Sequence, residues 1–150
     1  MGSAWEERFM RRGLELARAR LGQTGDNPAV GCVVVRGDEV LAEAVTAISG
    51  RPHGEEQALD TVGHSARGAT AYLTLEPCGE RSSGAPSCAE LLVQAGVTRV
   101  VIAAEDPSPK ASGQGIERLR RAGVEVVTGV LAEEAEPLYA AYRARLAAKP

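Results

Sequence analysis

Lysine is nearly absent from this chain of 150 residues, which carries only Lys110 and Lys149 and has a net charge of −3. A basic face able to grip a phosphate backbone is not expected, so an extended nucleic-acid partner is disfavoured. Aromatics are as scarce, with one Trp, three Tyr and one Phe, which leaves no row of rings on which single-stranded bases could stack. No run of 18 apolar residues occurs, so no membrane-spanning helix is predicted. The arginines of the first segment (Arg8, Arg11, Arg12, Arg18, Arg20) alternate with Glu6, Glu7 and Glu15, unlike a transit peptide. Position 6 is Glu where myristoylation after Met1-Gly2 wants Ser or Thr. The expectation is a soluble, cytoplasmic protein that takes a small-molecule substrate. Three cysteines cannot all pair, and in a reducing compartment two of them are better used on a metal.

The length and the 44% apolar content suit one domain over residues 1–150. Ser3 and Glu6 form a capping box ahead of Met10, Leu14, Ala17 and Leu21, which predicts a helix over 4–21 ended by Gly22. Residues 30–35 and 39–48 read as strands of a hairpin turning at Gly37-Asp38. A second helix starts near His53 after Pro52, and a third strand covers 71–75. Ser87 and Glu90 cap a helix that runs to Gly96, and 99–104 is an apolar strand covered on both faces. A helix over 115–122, a strand over 124–127 and a helix over 131–147 follow. This alternation demands parallel strands from the third onward. The predicted fold is an α/β, three-layer α/β/α sandwich with a mixed five-stranded sheet.

The residues that carry chemistry are His53-Gly54-Glu55, then Thr74-Leu75-Glu76-Pro77-Cys78, then Cys88. One imidazole and two thiolates leave a fourth position on a zinc ion for water, whereas a structural zinc fills that position with another Cys or His. Residues i and i+2 point about 200° apart on a helix. His53 and Glu55 therefore converge only at a helix N-terminus, with His53 at the entry and Glu55 in the first turn. Cys88 has the matching place after the Ser87 cap, where two helix N-termini would favour thiolate ligation. Glu55, not itself a ligand, is placed to move protons between water and substrate. Glu76, before Pro at a strand exit, suits orienting the ligand loop. Cys32, within the apolar run 29–35, reads as a core residue, and His64 as part of a solvated loop.

These residues resemble the signature of zinc-dependent base deaminases, H-x-E followed by P-C-x-x-C. The chain is similar to the cytidine deaminase-like superfamily, and within it to the riboflavin-biosynthesis (RibD/RibG) type. The likeness runs from the first helix to about Val130, through Asn27-Pro28-x-Val30-Gly31-Cys32-Val33, Arg67-Gly68-Ala69-Thr70-Ala71-Tyr72, Glu105-Asp106-Pro107-Ser108-Pro109 and Gly113-x-Gly115-Ile116. The resemblance implies a cytidine deaminase-like fold, Zn²⁺ on His53, Cys78 and Cys88, and proton shuttling by Glu55. It also implies substrate contacts at Asn27, at the Gly54 backbone N–H, and at Asp106 and Ser108 beside a ribosyl phosphate. A homodimer or homotetramer is implied as well.

The chain departs from that type at several points. Nine residues separate Cys78 from Cys88, whereas most base deaminases place two there and the riboflavin type a stretch of nearly this length. Glu80 stands where a His is usual, and Arg81 is the one basic residue placed to offset it against a phosphate. Gly54 replaces the commoner Ala, which removes a methyl beside the base and loosens the helix start. No counterpart of the reductase domain often fused in this family is found in these residues. The expected activity is hydrolytic deamination of the diaminohydroxyphosphoribosylaminopyrimidine intermediate of riboflavin synthesis. Alternatives are another free base, nucleoside or pterin, and after those a tRNA or DNA base.

Overall fold

The computed structural model describes residues 4–79, 86–107 and 113–148. In chain order the elements are α1 (Ala4–Arg20), β1 (Gly31–Arg36), β2 (Glu39–Val45), α2 (Gly54–Val62), β3 (Thr70–Leu75), α3 (Cys88–Gln94), β4 (Arg99–Ala104), α4 (Gln114–Arg121), β5 (Glu125–Thr128) and α5 (Ala132–Ala148). The strands form one sheet in the order β2-β1-β3-β4-β5. β1 is antiparallel to both β2 and β3, while β3, β4 and β5 run parallel. The expected mixed five-stranded sheet is therefore present.

Alternation along the strands divides the core in two. Val33, Val35, Tyr72 and Val101 pack with Phe9, Met10 and Leu14 of α1 and with Leu138 and Tyr139 of α5. Cys32, Val34, Leu73 and Ile102 point the other way, onto Ala58 of α2, Leu92 of α3 and Leu119 of α4. Successive side chains of a strand face opposite sides, so β1 is apolar and buried at every position from Cys32 to Val35 because helices cover both faces. Three layers result, and Cys32 is a buried core residue as read from the sequence. Helix α1 lies close on β1: a Cβ on Gly31 would come within 2.1 Å of the Gly13 carbonyl oxygen.

Most element boundaries fall within one or two residues of expectation, and two places call for comment. β2 ends at Val45, and Ile48–Gly50 forms a 3₁₀ turn instead of continuing the strand. The hydroxyl of Thr46 explains the break. The Thr46 N–H still donates to the Val30 carbonyl at 3.1 Å, but the hydroxyl accepts from the Val30 N–H at 2.9 Å and donates to the Pro28 carbonyl at 3.1 Å, so a side-chain bond stands where the next ladder bond would form. His64 lies exposed between α2 and β3, as expected of a solvated connection, and that connection is a second 3₁₀ turn, Gly63–Ala66.

The strand directions bring several chain segments to one edge of the sheet. Cys32 pairs with Leu73 and Gly31 with Val45, so the entry to β1, the exit of β2 and the exit of β3 lie together. The parallel β4 ends beside β3, with Leu75 opposite Ala104. In α/β sheets, ligands bind outside the carboxyl ends of strands where the strand order reverses. The change from antiparallel β1 to parallel β3 and β4 makes such a place.

Candidate metal centre and active site

His53, Cys78 and Cys88 arrive from three elements at this edge. His53 is the N-cap of α2, in extended conformation, and its backbone N–H donates to the Glu56 carboxylate at 3.0 Å. Cys78 follows Glu76-Pro77 out of β3. Cys88 is the first residue of α3, whose N-cap Ser87 accepts from the Glu90 N–H at 3.1 Å. Only this half of the capping box forms, since the Glu90 carboxylate pairs with Arg118 at 3.4 Å.

The ligand atoms of the three residues all lie within 4.8 Å of one another, and Nδ1 of His53 is 3.3 Å from Sγ of Cys88. Zinc–sulfur distances of about 2.3 Å and zinc–nitrogen distances of about 2.0 Å put tetrahedral ligand atoms about 3.5–3.8 Å apart. The trio therefore has the spacing and donor chemistry of a three-residue zinc site. Two backbone N–H groups of α3 brace it. Cys88 N–H donates to Cys78 Sγ at 3.2 Å, and Ala89 N–H donates to the Cys78 carbonyl at 3.1 Å.

Glu55 sits in the first turn of α2 and is 3% exposed. Burial pushes its carboxyl above the usual range, the backbone and His53 pull it down, and Cys78 raises it again. Glu55, His53 and Cys78 line a cavity of about 190 Å³ together with Asn27, Pro28, Val30, Thr46, Leu75, Glu76, Asp106 and Tyr142. The Asn27 side-chain amide donates to the Gly50 carbonyl at 2.9 Å, which ties it to the 3₁₀ turn after β2. Arg81 and Ser108 lie outside the described residues.

Glu76 faces the protein backbone and not solvent. One carboxylate oxygen accepts from Asp106 N–H and Gly113 N–H, each at 3.1 Å, and the other accepts from Gly115 N–H at 3.1 Å and Ile116 N–H at 3.4 Å. It thereby locks the Cys78 loop to the end of β4 and to the start of α4. Pro77 adds a steric constraint, because a Cβ on Gly115 would meet its carbonyl oxygen at 1.8 Å.

Gly54 is packed, contrary to the loosened helix start expected from its missing methyl. A Cβ there would come within 2.6 Å of the Val30 carbonyl oxygen. Glycine lets α2 begin directly against the entry to β1.

Sequence reasoning missed Thr46, Tyr139 and Tyr142. Tyr139 is fully buried in α5. Its hydroxyl donates to the Ala29 carbonyl at 2.9 Å and lies 2.6 Å from the Thr74 hydroxyl, which itself accepts from Gly31 N–H at 2.9 Å. Because the tyrosine proton goes to Ala29, the threonine proton goes to Tyr139. Burial pushes the Tyr139 hydroxyl above its ordinary range. Tyr142, one turn on, reaches the cavity, and its hydroxyl is raised by burial first and then by the Asp106 carboxylate. The only available signal was two tyrosines three residues apart on one face of the last helix.

A three-layer sheet protein with a His/Cys/Cys trio and a buried Glu at the strand ends is of the zinc-dependent deaminase class in its fold and its donor set. The chain belongs to the cytidine and deoxycytidylate deaminase family, whose zinc-binding region matches residues 3–104. It is 43% identical over 141 residues to the riboflavin biosynthesis protein RibD of Synechocystis sp., covering 94% of this chain and 38% of that protein. Among solved structures, Acinetobacter baumannii RibD superposes with a TM-score of 0.89 at 40% identity, covering 96% of this chain and 40% of that one. The Thermotoga maritima diaminohydroxyphosphoribosylaminopyrimidine deaminase/5-amino-6-(5-phosphoribosylamino)uracil reductase gives 0.84 at 39% identity, covering 94% and 42%. The chain thus spans about two fifths of the length of the relatives it matches. Among the described residues, no helix is long and apolar enough to cross a membrane.

Proposed function

We propose that the chain is a zinc-dependent hydrolytic deaminase of the riboflavin-pathway type, acting on the diaminohydroxyphosphoribosylaminopyrimidine intermediate. The observation that carries this reading is the closeness of His53, Cys78 and Cys88, within 4.8 Å of one another, with His53 and Cys78 lining one cavity with a buried Glu55. Similarity to RibD proteins over 94% of the chain supports the substrate. When bound, zinc supplies the Lewis acidity that makes water nucleophilic near neutral pH.

The protein residues do the rest. His53 and the two cysteines would hold the ion through one imidazole and two thiolates. Glu55 would take a proton from water and deliver it to a ring nitrogen, then take the second proton from the hydroxyl added to the ring carbon and give it to the departing amine, leaving the keto product and ammonia. Burial suits the first of these steps, because a carboxylate with a raised pKa takes a proton from water more readily than an ordinary one. Asn27, the Gly54 N–H and Asp106 are the substrate contacts, with Arg81 and Ser108 on the phosphate side. The working unit is a homodimer or homotetramer. An assay of ammonia release tests the reading, using zinc-loaded protein with the riboflavin intermediate, cytosine, guanine and their nucleosides. Release from the riboflavin intermediate is expected. Turnover of an unphosphorylated base with none on the ribosyl phosphate would sink the substrate assignment.

A further inference from the structure

The cavity has a graded wall. Val30, Thr46, Glu55, Leu75 and Glu76 form a buried floor, whereas Asn27, Pro28, Asp106 and Tyr142 are half-buried at the rim. Its volume of about 190 Å³ falls short of the ~300–1,000 Å³ usual for a whole small-molecule site. A reacting ring fills such a floor, and a bulky substituent on the ring must lie along the rim. Among the lining residues Tyr142 supplies the one phenol ring.

Two features hold that ring in place. Tyr139, three residues earlier on α5, is pinned by its bonds to Ala29 and Thr74. The Arg145 guanidinium sits over the Tyr142 ring, 5.8 Å from its centroid, and donates to the Asp26 carbonyl at 3.3 Å. A fixed aromatic body with one hydroxyl suits a ligand part that presents both carbons and hydroxyls. Fixing a contact residue through a packed, hydrogen-bonded neighbour is how a site keeps its geometry.

We propose that Tyr142 is a specificity-determining residue that packs against the sugar substituent of the substrate, and that Tyr139 is the positioning residue that keeps it on the rim. The inference rests on the riboflavin-type reading above. Helix α5 lies beyond residues 3–104, the span matched by the family's zinc-binding region, so the contact stands apart from the matched metal-binding segment.

The test measures binding apart from turnover. Zinc-loaded Glu55→Gln protein is titrated by calorimetry with the phosphoribosylaminopyrimidine and with the same aminopyrimidine base lacking the sugar phosphate. The parent is expected to prefer the ribosylated ligand. Adding Tyr142→Ala should shrink that preference about tenfold, which corresponds to ~1.4 kcal/mol. Tyr142→Phe should keep most of it, and Tyr139→Phe should shrink it by a smaller factor. Zinc content and melting temperature, measured alongside, show that each variant is folded. A preference that survives Tyr142→Ala overturns the inference, as does a parent with no preference. An unchanged preference in Tyr139→Phe overturns the positioning role. The substrate reading is judged separately, by ammonia release from the protein with Glu55 intact.

Discussion

Replacing Glu76 with Gln should loosen the metal centre without touching a ligand. The carboxylate accepts four backbone N–H bonds, two on each oxygen, and is 3% exposed. Glutamine keeps one oxygen and turns an NH₂ group toward two of the donors. Bonds to a charged group contribute ~1.5–3 kcal/mol each and neutral ones ~0.5–1.5. Losing two, weakening two and discounting the 3.4 Å member gives a cost of about 4 kcal/mol by those values. For a chain of this size each kcal/mol moves the melting temperature by ~2–4 °C, so a fall of about 8–16 °C is expected. Zinc affinity should fall ~10–100-fold, the usual result of losing support behind a ligand. Thermal melts followed by circular dichroism and a competition with a zinc-binding dye read the two effects. A melting temperature within about 3 °C of the parent, with unchanged zinc affinity, would refute the argument that this carboxylate holds the Cys78 loop.

Glu55→Gln should keep its zinc, measured by metal analysis, yet lose ammonia release by at least ~10²-fold, the lower end of general acid–base contributions. Gly54→Ala reverses the usual benefit of alanine in a helix, because its methyl would meet the Val30 carbonyl at 2.6 Å. A cost of ~1–3 kcal/mol is expected from overpacking, read as a lower denaturant midpoint, and a gain in stability would contradict it. Chelating zinc from the loaded protein should lower the melting temperature reversibly, since an ion on His53, Cys78 and Cys88 would join the starts of α2 and α3 to the exit of β3. Refilling with Zn²⁺ should restore it.

The parts of the site legible in the sequence are those fixed by local rules. His53 and Cys88 mark helix starts, where cap geometry is set within a few residues, and Cys78 follows a strand exit punctuated by Pro77. The alternation of strands and helices likewise carried the sheet, and even β4 came out at residues 99–104 as drawn. What stayed hidden depends on partners far away in the chain. Thr46 ends β2 by bonding Val30 and Pro28, and Glu76 gathers N–H groups from residues 106–116. Nothing in the Glu76-Pro77-Cys78 tripeptide names those partners.

Gly54 shows how a local rule can give the wrong sign. Judged by backbone entropy, glycine in a first helical turn weakens the helix, and the same rule would favour alanine. The fold changes the comparison, because the antiparallel register that places Gly31 opposite Val45 also carries the Val30 carbonyl up to the start of α2. Alanine would push that start away from β1, and His53 and Glu55 would move with it, since both are held by the same turn. The residue that lowers helix propensity is therefore the one that lets the imidazole, the carboxylate and the β1 entry share a single cavity.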